Sequence, residues 1–301
     1  MALSKKHAEQ ICHKLGAELL RYRLIGSSGL NECHLLTTSK AKYVLKICNN
    51  DRFGIREYKY IRLAGNLAPN VLLFDKSKSI IPKMYMVQEF LEGRHSPKKI
   101  TNEFLSMMAK YFKRLHKVRS SRIDSDERKC SYSLSYWAKR SYDRFIKMKK
   151  PIEGRLLKSI ENYFTTTLKH CEENDHIFRN RKSFPLVHGD AWQKNIFIEK
   201  NNIKLIDWEF AGFVLGERDL IIFMRTHDLT RQQRNSFLRA YGYPQTELAE
   251  KKFSLISELL TCSDIRWLLE RLTTIETGKI ETQQPRNRKE ITMKIRKLLS
   301  E

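Results

Sequence analysis

The chain has 301 residues, 41% of them apolar and only seven proline, so it is long enough to bury a large core, and broad disorder is excluded. Lys and Arg (57) outnumber Asp and Glu (34), a formal charge of +23 that attracts polyanions without defining a chemistry. Six scattered cysteines (Cys12, Cys33, Cys48, Cys130, Cys171, Cys262) form no C-x-x-C pair, the amino terminus is polar, and no apolar run nears the roughly 18 residues of a membrane span. Zinc-ribbon, disulfide-framework and transmembrane classes are thereby excluded, and a cytoplasmic location is the expectation.

The first elements read as a small sheet. Leu24-Ile25-Gly26-Ser27-Ser28-Gly29-Leu30-Asn31 is a glycine and serine turn, and Glu32–Thr37 continues it as a strand. Amides in such a turn can close over phosphate oxygens, although the same G-x-x-G also makes an ordinary hairpin. Lys42–Cys48 alternates as a strand and carries Lys46. Gly54–Leu63, apolar at positions 55, 58, 61 and 63, follows as a helix. It offers Glu57 as a partner for Lys46, the alternative being a pair with Arg56, Lys59 or Arg62 on the same helix. Met84–Gly93 then reads as a buried strand ending in a glycine turn.

From residue 94 the pattern is mostly helical. Thr101–Val118 is amphipathic, apolar at 104, 105, 108, 111, 112 and 115, and His116 near its end suits a packed position. Tyr132–Lys169 holds two further helices divided at Pro151 and Gly154. The apolar run Phe184–Val187 leads into His188-Gly189-Asp190-Ala191-Trp192-Gln193-Lys194-Asn195. Strand-like segments Ile196–Ile198 and Ile203–Ile206 flank a turn at Glu199–Asn202 and deliver Asp207-Trp208-Glu209. Asp219 stands where an apolar helix begins and fits an N-terminal cap. Phe253–Ile275 is helical, with Trp267 and Glu270 on neighbouring positions, and Gly278–Glu301 is a basic helix, apolar at 291, 295, 298 and 299.

Asp190 and Asn195 are five apart, and Asp207 lies twelve beyond Asn195. Phosphoryl transfer asks for a carboxylate to take the proton of the attacking hydroxyl, plus an amide and a second carboxylate to hold Mg²⁺ against nucleotide phosphates. Singly these residues are ordinary turn or surface groups. Jointly their spacing matches all three roles.

The motifs H-G-D-x-x-x-x-N and I-D-W-E resemble those of the aminoglycoside phosphotransferase and choline kinase superfamily, which shares the protein-kinase-like fold. The resemblance implies an α+β fold of two lobes. Residues 1–91 would be an N-terminal antiparallel sheet lobe with one helix, binding nucleotide, and 92–301 a larger, mainly helical catalytic and acceptor lobe. It also implies ATP and Mg²⁺, with Asp190 as base, Asn195 and Asp207 as metal ligands, and Lys46, held by Glu57, on the phosphates. Gly26, Ser27, Ser28 and Gly29 would cover the phosphates, the Glu89 carbonyl and Leu91 amide would meet the base, and Asp219 would brace the catalytic loop. Because base recognition is through backbone, ATP versus GTP stays open.

Gly189 replaces the arginine of the protein-kinase H-R-D, and Glu209 the glycine of D-F-G, so the resemblance points away from phosphorylation-controlled protein kinases and toward a small-molecule kinase. I-D-W-E is similar to choline, ethanolamine and thiamine kinases, whereas Trp192 is similar to the tryptophan of ketosamine kinases. Trp192, Glu209, Trp267 and Glu270 are candidate acceptor contacts, since aromatic and acidic groups can enclose a cationic alcohol; Trp267 reads equally as core. The expected reaction moves the γ-phosphate of ATP to a hydroxyl of an amino alcohol, aminoglycoside or sugar. The alternative acceptor is a macromolecule, RNA ahead of protein on grounds of charge. Non-specific polyanion binding fits the basic surface, and the oligomeric state is open.

Overall fold

The computed structural model describes residues 3–27, 31–121, 132–148, 151–179, 181–200, 202–278, 285 and 287–300. In chain order the first elements are α1 (Lys5–Lys14), β1 (Leu19–Ser27), β2 (Asn31–Thr38), β3 (Lys42–Cys48), α2 (Asp51–Ala64), β4 (Val71–Asp75) and β5 (Tyr85–Glu89). Then come β6 (Arg94–His95), α3 (Asn102–Leu115), β7 (Arg119–Ser120), α4 (Leu134–Met148), α5 (Gly154–Asn174) and β8 (Phe184–Val187). The last are β9 (Ile196–Glu199), β10 (Asn202–Leu205), β11 (Gly212–Phe213), α6 (Glu217–Thr226), α7 (Arg231–Tyr241), α8 (Glu247–Glu276) and α9 (Arg288–Ser300). They pack as two units, residues 1–120 with 185–243 and residues 121–184 with 244–301. Neither unit begins or ends at 91/92.

In the first unit an antiparallel sheet runs in the order β1-β2-β3-β5-β4. Leu36, Leu45, Ile47, Tyr85 and Val87 bury one face of it against Ala8, Ile11 and Cys12 of α1, whose first turn is capped by Ser4 accepting from the His7 amide at 3.2 Å. Helix α2 differs from the periodicity read in the sequence. It buries Gly54, Glu57, Tyr60, Ile61 and Ala64, while Ile55 and Leu63 are 48% and 43% exposed. The helix is turned so that Glu57 reaches the sheet, and Gly54 permits the approach: a Cβ there would stand 2.7 Å from Cys48 Sγ. Two smaller sheets, β10-β9-β6 and β11-β8-β7, frame the loop after β8, and α3, capped by Thr101, supplies the buried wall Phe104, Leu105, Met108, Tyr111, Phe112 and Leu115.

In the second unit α4, α5, α8 and α9 enclose an apolar core built around Phe145, Ile160, Phe164, Ile265, Leu269 and Ile291. Ile295 is buried and Leu298 and Leu299 pack against the same core, as the terminal helix pattern predicts. Among the described residues no helix is long and apolar enough to cross a membrane.

Candidate active site

The loop after β8 is held by its backbone. Asp219, fully buried in the first turn of α6, accepts from the His188 amide at 2.9 Å and the Gly189 amide at 2.8 Å. The N-cap of α6 is Gly216, so Asp219 serves as a brace rather than as the cap. His116 lies 3.2 Å from the same carboxylate, and its other ring nitrogen is 2.9 Å from Tyr241 Oη. Burial alone would raise the Asp219 carboxyl, but the hydrogen bond and charge of His116, with the Gly189 amide, bring it below its usual range. Asp219 is thereby kept as an acceptor. Gly189 has φ +81°, and a Cβ on it would stand 2.5 Å from the Phe210 carbonyl, so both conformation and space require glycine.

His188 is fully buried, and burial lowers its pKa. Its Nδ1 accepts from the Asp190 amide at 3.2 Å and its Nε2 donates to the Ile206 carbonyl at 3.0 Å, which is the neutral imidazole with its proton on Nε2. The ring thus joins the HGD loop to the strand end that delivers Asp207. Asn195 Nδ2 donates to the Asp190 carbonyl (3.0 Å) and to Asp190 Oδ2 (2.9 Å), leaving Asn195 Oδ1 as the atom that can face a cation. Burial first, and then the charge of Asp207, push the Asp190 carboxyl up to about 7. A carboxylate with that midpoint is well matched to a general base.

Opposite stands a strip of carboxylates on residues 207–209. Asp207 adopts φ +67°, a left-handed conformation that costs a non-glycine residue about 1 kcal/mol or more. Its Oδ1 lies 2.6 Å from Lys46 Nζ, which is also 2.8 Å from both oxygens of Glu57. Lys46 is 5% exposed and Glu57 1%. Burial opposes the ammonium charge, yet Glu57 and Asp207 together raise Lys46 well above its ordinary pKa, so it stays charged. The Glu57 carboxyl is raised by burial against the pull of Lys46. The pairing foreseen from sequence is in place, and Glu57 reaches across rather than along its own helix.

Among the described residues four ties fasten residues 207–211 to the sheet and to α2. Asp207 meets Lys46; the Trp208 amide donates to Glu57 Oε1 at 3.3 Å; Asn31 Nδ2 donates to Glu209 Oε2 at 2.5 Å; and Arg56 Nε donates to the Ala211 carbonyl at 2.7 Å. Glu57, Asp207 and Glu209 offer oxygens within 4.8 Å of one another. Burial and Asp207 raise the Glu209 carboxyl to about 7. One lysine among three carboxylates leaves excess negative charge, and with Asn195 Oδ1 the donors are all hard oxygens, so the set fits Mg²⁺.

The remaining sequence-predicted residues are distributed more widely. Gly26 and Ser27 close β1, whereas Ser28 and Gly29 lie outside the described residues. Glu89 ends β5, where its side chain accepts from the Asn70 amide at 3.0 Å and pairs with Lys204, and Leu91 is buried just beyond. Trp192 is 38% exposed in the loop after β8, with Lys194 over its ring at 5.3 Å. Glu209, expected as an acceptor contact, bonds Asn31 instead and stands with Glu57 and Asp207 as an oxygen donor that could hold a metal. Trp267 is 45% exposed in the second unit, with Arg271 over its ring, and Glu270 is exposed on the same helix, so the core reading of Trp267 does not hold. Asn31, Arg218 and Tyr241 escaped the sequence reading. Asn31 directly follows the glycine turn, which was a local signal; Arg218 reaches the loop at the Gly189 carbonyl, and Tyr241 acts on it only through His116 and Asp219.

The description "Phosphotransferase enzyme family" belongs to a family model that matches residues 21–252. A comparison with curated protein sequences returns no significant match. Among solved structures, choline kinase LicA from Streptococcus pneumoniae aligns with TM-score 0.68 at 16% identity, covering 98% of each chain. Choline kinase from Cryptosporidium parvum Iowa II aligns with TM-score 0.67 at 15% identity over 99% of this chain and 94% of that one. Spectinomycin phosphotransferase APH(9)-Ia, in complex with ADP and spectinomycin, aligns with TM-score 0.62 at 13% identity over 97% and 96%. These likenesses establish the α+β protein-kinase-like fold.

Proposed function

Because this chain belongs to the phosphotransferase enzyme family, we propose that it is a Mg²⁺- and ATP-dependent kinase that phosphorylates a hydroxyl of a small molecule. Residues 1–91 form the nucleotide-binding part and residues 92–301 the catalytic and acceptor-binding part. The acceptor classes are an amino alcohol of the choline, ethanolamine or thiamine kind, or an aminoglycoside or sugar. Spectinomycin phosphotransferase with bound ADP and the two choline kinases lend those classes support at the level of fold. The observation that supports the reading most is the meeting of two pairs, Lys46 with Asp207 at 2.6 Å and Asn195 with Asp190 at 2.9 Å, in one site.

In this reading Asp190 accepts the hydroxyl proton as the acceptor oxygen forms its bond to the γ-phosphorus and the bridging oxygen leaves with ADP. Lys46, fixed by Glu57, positions the α and β phosphates, and Gly26, Ser27, Ser28 and Gly29 cover them with backbone amides. Glu89 and Leu91 meet the base through their backbone. Asn195 Oδ1, Asp207 and the adjoining Glu209 would hold Mg²⁺, which when bound neutralises charge on the transferring phosphoryl group. Trp192, Trp267 and Glu270 are the acceptor contacts. His188 and Asp219 keep the loop in register.

The test is labelled ATP offered with a metabolite extract and, separately, with total RNA. Label entering a low-molecular-weight hydroxyl compound is the expected result. RNA binding should be weak and should fall steeply with salt, as counterion release requires. Label appearing mainly in RNA at moderate salt would overturn the choice of acceptor, and no Mg²⁺-dependent transfer to any acceptor would overturn the reaction.

A further inference from the structure

We propose that Asn31 is a positioning residue of this kinase: by donating to Glu209 it fixes the start of β2 against the acidic strip, so that the β1–β2 strand pair and the strip address the same phosphates. The inference rests on the phosphotransfer reading above. Asn31 opens β2 immediately after the hairpin turn. In the β2–β3 register Cys33 is the partner of Lys46, and Asn31, two residues earlier and paired with Cys48, lies on the same face. Asn31 and Glu209 are 5% and 6% exposed and 2.5 Å apart across 178 residues of sequence. A buried amide donating to a carboxylate is a charge-assisted bond, stronger and more directional than a neutral one.

The other three ties to residues 207–211 start from β3 and α2, through Lys46, Glu57 and Arg56. Asn31 alone among the four fastens the hairpin strand itself. Losing it leaves the Lys46, Glu57 and Asp207 set intact while uncoupling the start of β2 from the metal side. It also leaves Glu209 with one restraint fewer among like charges, so its oxygens are no longer presented in one orientation. The consequence belongs to nucleotide and metal, not to the acceptor.

The experiment compares wild type with Asn31→Ala, Asn31→Asp and the pair Asn31→Asp/Glu209→Gln, in which donor and acceptor change places. Asn31→Ala should raise the nucleotide KM and the Mg²⁺ concentration for half-maximal rate by about 10-fold, with acceptor KM changed less than about 3-fold. Asn31→Asp, which sets two carboxylates face to face, should be worse. Amide hydrogen exchange of β1 and β2 in the nucleotide-free protein should quicken in both single variants and slow again in the exchanged pair. A nucleotide KM and Mg²⁺ requirement of Asn31→Ala within about twofold of wild type would overturn the proposal, as would an exchanged pair whose β1 and β2 amides exchange no more slowly than those of Asn31→Asp. If wild type transfers no phosphate, the reaction assigned above fails; hydrogen exchange and calorimetric titration with Mg·ATP then decide the hairpin tie by the same two criteria.

Discussion

The two packing units differ in what they bury. The first encloses ionisable groups, Lys46, Glu57, His188, Glu209 and Asp219, each answered by a partner within a few ångströms. The second encloses mainly hydrocarbon, and its buried Asp175 and Arg271 are spent on local anchoring: Asp175 takes Ser133 Oγ at 2.8 Å and the Ser135 amide at 3.0 Å, and Arg271 donates to the Pro285 carbonyl at 2.5 Å. Buried charge in the first unit is costly and tolerated because it is mutually compensated. Buried hydrocarbon in the second is simply stabilising. Substitutions in the two units should therefore separate chemistry from stability.

The largest effects are expected at Asp190 and Asp207. Replacement of Asp190 by Ala should cut turnover by about 10²–10⁴-fold while nucleotide affinity survives, whereas Asp207→Ala should abolish transfer and remove the Mg²⁺ dependence of nucleotide binding. Circular dichroism and calorimetric titration distinguish the two, and near-native turnover of Asp190→Ala would end the assignment.

Next comes the pair Lys46 and Glu57. Because both oxygens of Glu57 lie 2.8 Å from Lys46, either single Ala substitution leaves the other charge buried and misplaced, so the double variant should be little worse than either alone. A double-mutant cycle on kcat/KM that gives additive losses would show two independent residues.

A smaller effect follows from pH. Asp190 works as a base only when ionised, so with its carboxyl pushed up to about 7 the rate should rise with pH through neutrality, at a lower midpoint when Mg²⁺ offsets Asp207. A carboxyl raised on folding contributes stability at low pH and loses it as pH climbs through the folded value. The metal-free protein should therefore lose stability between the ordinary carboxylate range and about pH 7. Asp190→Asn should melt roughly 2–4 °C higher than wild type at pH 8 and no higher at pH 4. Equal melting points at pH 8 would show that Asp190 carries no such cost.

The smallest change is expected in the second unit. Trp267→Ala, on a half-exposed side chain, should alter stability by no more than about 0.5 kcal/mol and leave nucleotide KM untouched, while raising acceptor KM. An unchanged acceptor KM would remove Trp267 from the acceptor contacts.

These contrasts also explain what the sequence could disclose. Asp190, Asn195 and Asp207 sit on one strand–turn–strand segment, so their spacing almost fixes their geometry, and β3, β9 and β10 fall where alternation put them. The Lys46 and Glu57 pair was legible because a strand and the next helix bring them together. The rotation of α2 was not, since Ile55 and Leu63 look like core residues until Glu57 claims the inward face. Asn31 and Glu209 lie 178 residues apart, and nothing local marks a contact at that range. Acceptor specificity is less visible still, because it depends on the shape made by exposed side chains such as Trp192, for which no spacing rule exists.

The crowding of Gly189 against the Phe210 carbonyl also bears on how such a molecule can change over generations. Any side chain at 189 would meet that carbonyl at 2.5 Å and would have to occupy φ +81°. The guanidinium near this loop comes instead from Arg218, whose Nη2 donates to the Gly189 carbonyl at 3.2 Å from the inner side. An arginine at 189, of the kind that reads an activation-loop phosphate, is thus out of reach of a single mutation: the 207–211 segment and its anchor on Arg56 would have to be rebuilt at the same time.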